Sequence, residues 1–74
     1  MTLFQGKIGS AYAVKEICLE DTVKRRFEML GMTPGTVVDV LNKKRGGAMI
    51  IRLRGTRFAV GKEFAEGIRV EEKQ

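Results

Sequence analysis

The stretch Arg26-Phe27-Glu28-Met29-Leu30-Gly31-Met32-Thr33-Pro34-Gly35-Thr36-Val37-Val38-Asp39-Val40 decides how this chain folds. It holds a helix end, a tight turn and a strand start in immediate succession. Val23, Phe27 and Leu30 fall at i, i+4 and i+7, which makes one apolar stripe of a helix, with Lys24, Arg25 and Glu28 off that stripe. The spacing predicts a helix over 22–30, with Asp21 capping its start and Gly31 ending it in a left-handed conformation. In Thr33-Pro34-Gly35-Thr36, proline fixes φ at the second position and glycine supplies φ > 0 at the third, as a type II turn requires.

Upstream, Tyr12 to Cys18 reads as a first strand. Downstream, strands 37–42 and 49–54 flank the loop Lys43-Lys44-Arg45-Gly46-Gly47-Ala48, a hairpin with paired glycines. Met49, Ile51 and Leu53 alternate with Ile50, Arg52 and Arg54, so the first set should face the core and the second solvent. Gly55-Thr56 turns into a strand over 57–60, residues 62–67 can form one helical turn, and 68–71 closes with a last strand. Five short strands in consecutive hairpins with one inserted short α-helix predict a mainly β fold. A small SH3-like five-stranded barrel suits these strand lengths better than an OB-fold, and closure would hide the strand edges.

Seventy-four residues suffice for one small domain, 1–74, with a thin core. Cys18 is the one cysteine and there is no histidine, so neither a disulfide nor the commonest metal ligand is at hand. One free thiol, no secretory pattern at Met1–Lys7 and no apolar run longer than Ala48–Ile51 suit a soluble, cytoplasmic protein. Ser10, Thr22 and Cys18 have no histidine to act as base, and Gly46-Gly47 lacks the Lys-Ser/Thr of a phosphate loop; an enzyme is not expected. Cys18 with Glu16, Glu20 and Asp21 has no recognisable ligand spacing, so no metal or other cofactor is expected either.

At this point the residues resemble a known family. Lys7-Ile8-Gly9 after Leu3, the stretch 26–40, Arg52-Leu53-Arg54-Gly55-Thr56-Arg57-Phe58-Ala59-Val60 and Ala65-Glu66-Gly67-Ile68-Arg69-Val70 are, as an ordered set, similar to the ferrous iron transport protein A family, FeoA. The likeness covers residues 3–70. It implies an SH3-like barrel with an inserted helix. It also implies a cytosolic accessory or regulator of FeoB, a membrane ferrous-iron permease with a cytosolic GTP-binding domain.

The charge pattern bears on the partner. Lys and Arg total 14 against 9 acids, a net charge of +5, which suits an acidic partner, a nucleic acid or an anionic surface. Under the leading reading a protein partner docks on Arg25, Arg26 and Met29 of the helix and on Lys43, Lys44 and Arg45 of the hairpin. Met29, Leu41 and Ile50 point away from the expected core and extend an apolar contact; through such a face a weak homodimer is also open. The alternative is a small basic barrel that binds nucleic acid along Lys43–Arg45 and Arg52, Arg54 and Arg57. Its aromatic supply is thin, because Phe27 and Phe58 are expected in the core, leaving Phe4, Tyr12 and Phe64. The absence of tryptophan also argues against a polyproline-binding groove.

Overall fold

The computed structural model describes residues 1–73. Its strands are β1 (Ala11–Ile17), β2 (Val37–Lys43), β3 (Met49–Leu53), β4 (Thr56–Val60) and β5 (Ile68–Glu72). Helix α1 (Asp21–Met29) lies between β1 and β2, and a single turn, α2 (Lys62–Ala65), lies between β4 and β5. A 3₁₀ turn at Leu3–Gln5 precedes β1. All neighbouring strands pair antiparallel in the order β4-β3-β2-β1-β5.

The turn after α1 forms as its residues dictate. Gly31 has φ 103°, its N–H bonds to Glu28 O at 3.0 Å, and the Met32 N–H bonds to Phe27 O at 3.0 Å. These two bonds make a Schellman motif, which satisfies carbonyls that would otherwise be orphaned at the helix end. Gly35 has φ 90°, and Thr36 N–H donates to Thr33 O at 3.0 Å, closing the type II turn. The turn then docks on β1 through Gly35 N–H to Val14 O (2.7 Å) and Val14 N–H to Thr36 O (2.9 Å).

Period-two alternation fills the core. Met49, Ile51 and Leu53 of β3 are fully buried with Val38 and Val40 of β2, Val14 of β1, Ile68 and Val70 of β5 and Leu3 from the first turn. Apart from the Tyr12 hydroxyl, no polar or charged side-chain group is buried among the described residues, so the interior rests mainly on apolar packing. Register irregularities fall between Val14 and Glu16 of β1 and between Val40 and Asn42 of β2. Such bulges sharpen the twist that curls a sheet into a barrel.

Four expectations are corrected. Tyr12 is not an available surface aromatic: it is 1% exposed, and its hydroxyl accepts the Lys7 N–H at 2.7 Å, which gives a buried phenol its partner. Asp21 is not the cap but the first helical residue; Glu20 occupies the cap without a side-chain bond, and Asp21 complements the helix dipole instead. Leu30 does not complete a buried stripe, because the helix ends at Met29 and Leu30 is 46% exposed. Arg54 leaves β3 for the turn, with φ 52° followed by Gly55 at 81°, the pair of positive angles of a type I′ hairpin.

The ladder itself does not close. β5 is covered at its outer side by the chain start, through a bridge between Thr2 and Arg69 and a Val70 N–H bond to Met1 O at 2.9 Å. β4, at the other end, pairs only with β3 among the described residues.

Candidate functional site

The helix is the one long element that buries nothing. Every residue of α1 is exposed or half-buried. Nine residues with a single apolar stripe cannot stand alone in water, so contact with the barrel has to hold the helix in place. That contact runs through Phe27, whose ring meets Phe64 of α2 edge-on, with centroids 6.0 Å apart at 62°. An aromatic pair in this geometry contributes about 0.5–1.5 kcal/mol beyond its buried area.

Between α1 and the end of β4 lies a cleft of about 270 Å³. Val23, Phe27, Leu30, Ala59, Val60 and Phe64 supply its apolar lining, and Arg26 is the charged residue on its wall. A second hollow, about 360 Å³, continues along Val23 and Phe64 to Leu19, Glu20 and Glu63. Met29, 86% exposed, and Leu30 extend the apolar surface at the helix end. The Arg54 side chain lies over Gly31, so near that a Cβ there would come within 2.9 Å of its Cδ.

The residues expected at a contact thus lie in two settings. Arg26 belongs to the cleft, with Arg25 and Met29 exposed on the same helix. Lys43 instead reaches Phe4: its Nζ donates to Phe4 O at 3.2 Å and sits 5.7 Å from the ring centroid, while Lys62 Nζ approaches the same ring at 5.4 Å. Lys44 and Arg45 are exposed at the hairpin tip. Leu41 and Ile50, expected as exposed apolar residues, are half-buried and add little to such a surface. Leu30, Ala59 and Phe64 were not among the expected contact residues. Phe64 carried a signal, as an aromatic next to a glycine-led turn with no place in the strand alternation.

Cys18 is exposed, in the segment between β1 and α1. Its thiol pKa is raised above the ordinary 9.0, by loss of hydration beside the protein and then by the hydrogen bond and negative charge of Glu16; Arg69 and Lys24 oppose the shift. A thiol held protonated is a poor nucleophile and a poor metal ligand. No group of three or more Cys, Asp and Glu side chains clusters in a metal-holding arrangement among the described residues. No helix of the described chain is long and apolar enough to cross a membrane.

The geometry therefore offers an apolar cleft with one arginine, Arg26, on its wall. Comparison with known proteins agrees on the scaffold. The solution structure of the FeoA protein from Chlorobium tepidum superposes with a TM-score of 0.93 at 28% identity, covering 100% of this chain and 71% of that one. A crystal structure of an iron uptake regulatory protein (FeoA) gives 0.89 at 29%, covering 99% and 97%. Stenotrophomonas maltophilia FeoA, crystallised with zinc and described as an SH3 domain protein, gives 0.79 at 25%, covering 96% and 89%. No curated protein matches the sequence significantly. The five-stranded curl with its inserted helix is an SH3-like barrel, and the FeoA domain family matches residues 1–72. The chain belongs to the FeoA family.

Proposed function

We propose that this protein is an accessory factor of ferrous iron uptake that docks on the cytosolic region of a FeoB-type permease. The Stenotrophomonas relative, a zinc-bound SH3 domain protein, is itself put forward as a ferrous iron transport activating factor. The observation that carries the docking part is the helix-side cleft. In a protein whose core is almost wholly apolar, Leu30 and Met29 remain in water beside half-buried Phe27 and Phe64. Burying one such side chain in a complex is worth about 1.5–3 kcal/mol, which offsets part of the cost of association. Arg26 on the cleft wall and Arg25 exposed on the same helix, within a net charge of +5, favour encounter with an acidic face. Lys43, Lys44 and Arg45 contribute long-range attraction and no anchor.

The test is a two-dimensional NMR titration of the labelled protein with the cytosolic region of the permease at physiological salt, with and without a GTP analogue. Saturating shifts that cluster on Val23, Arg26, Phe27, Leu30 and Ala59 are expected. An absence of shifts at high partner concentration would sink the proposal.

A further inference from the structure

We infer that the outer edge of β4 accepts an extended, acidic segment of a partner as an added strand, with an apolar side chain of that segment seated in the neighbouring cleft. The inference rests on the reading of this cleft as a docking site and names its mode and ligand chemistry.

The hairpin between β3 and β4 sets which backbone groups of β4 face outward. Leu53 and Thr56 face each other across the two-residue loop Arg54-Gly55. In a hairpin of this kind the flanking pair exchanges both hydrogen bonds, and bonded pairs alternate with unbonded ones thereafter. Ile51 with Phe58 and Met49 with Val60 are then bonded pairs, while Arg52 with Arg57 and Ile50 with Ala59 are not. The N–H and C=O groups of Arg57 and Ala59 accordingly turn outward. They meet no backbone partner among the described residues, and both residues are exposed. The edge of β5 is treated differently, since the chain start bonds along it at Thr2 and Met1. One end of the ladder is closed and the other is a template.

The groove beside that edge has the shape this recognition mode uses, an edge strand on one wall and a helix on the other. Ala59 and Val60 form the strand wall; Val23, Phe27 and Leu30 form the helix wall. An added strand presents alternate side chains to opposite faces, so one can enter the cleft while its neighbours stay over the surface.

Charge selects the occupant. Arg52 and Arg57 face each other directly across β3 and β4, and only Arg52 has a carboxylate, Asp39 at 3.4 Å. Like charges directly opposite on one face disfavour each other. Arg57 and the cleft's Arg26 form no ion pair among the described residues. A second copy of this chain would bring its own Arg57 to the same edge, so self-pairing is opposed, while a segment bearing Asp or Glu is drawn in.

The probe is a synthetic eight-residue peptide of alternating glutamate and valine, added to labelled protein, beside its lysine–valine counterpart and a version N-methylated on alternate amides. The glutamate peptide should slow hydrogen exchange at the Arg57 and Ala59 amides at least tenfold, and N-methylation on the bonding side should weaken binding at least tenfold. Arg57→Glu should weaken it by a similar factor with the fold intact, and Ala59→Pro, which deletes one outward N–H, should do the same. Equal binding of the lysine or N-methylated peptide would overturn the inference, as would unaltered exchange at Arg57 and Ala59. So would protection of those amides by raised protein concentration alone. The two readings part cleanly. If the permease region binds Arg57→Glu and Ala59→Pro as it binds the parent protein, docking stands and strand addition fails. If the glutamate peptide protects the edge while the permease region does not bind, strand addition stands and the docking proposal fails.

Discussion

The two faces of this small protein are built on opposite terms. On the sheet, Val38, Val40, Met49, Ile51 and Ile68 are wholly out of water. On α1 nothing is wholly buried, and Met29 is 86% exposed. A chain without a disulfide must place its apolar residues economically, and a largely exposed methionine beside a half-exposed leucine adds little to stability in isolation. The sheet holds the fold, and under the proposed docking the helix with its cleft is the surface that meets the partner. Substitutions in the two regions should therefore separate stability from binding.

The largest stability effect is expected in the sheet. Ile51→Ala removes a fully buried side chain from β3 and should cost about 2–5 kcal/mol in a denaturant melt, enough to unfold much of so small a domain. A loss below about 1 kcal/mol would show that the core is not where stability resides. Next comes the turn that joins the regions. Gly35 has φ 90° and open space around it, so Gly35→Val meets backbone strain and no clash, costing about 1–3 kcal/mol; an unchanged melting temperature would refute the turn assignment. Phe27→Ala should cost less than Ile51→Ala, roughly 1–2 kcal/mol, since Phe27 is half-buried and its main loss is the edge-on contact with Phe64. A cost as large as that of Ile51→Ala would erase the distinction between the regions.

The smallest effect concerns Cys18, at the seam between them. Because its pKa is raised above 9.0 in the folded state, less thiolate is present at pH 8 than in the unfolded chain. Iodoacetamide should label it completely but more slowly than it labels the denatured protein, and Glu16→Gln should speed the reaction. The same shift means that any stability linked to this thiol is fully present below its unfolded pKa and lost as pH rises through the folded value. Faster labelling of the folded protein would contradict the assigned role of Glu16.

Much of the sheet was legible in the residues, and the reasons are local. Gly31, Pro34 and Gly35 each carry a backbone constraint that no tertiary contact has to supply, and the alternation of Met49, Ile51 and Leu53 reports directly on which face is wet. The candidate site was less legible because it depends on where elements meet. Leu30 continues the stripe of Val23 and Phe27 by spacing, yet it falls just past the helix end and so turns into the cleft mouth. Tyr12 reads as a surface aromatic until the Lys7 N–H comes back to its hydroxyl. The bulges in β1 and β2, which decide the curl and leave Leu41 half-buried, have no residue signature in this chain. The open edge of β4 is invisible from sequence because it is defined by which strands fail to meet.

Leu30→Gln tests the division of labour most directly, by affinity for the permease's cytosolic region and thermal stability measured on the same sample. A melting temperature within a few degrees of the parent protein is expected, since Leu30 is 46% exposed, together with an affinity at least tenfold weaker. Unchanged affinity with unchanged stability would mean that the helix-side cleft is not where the partner binds.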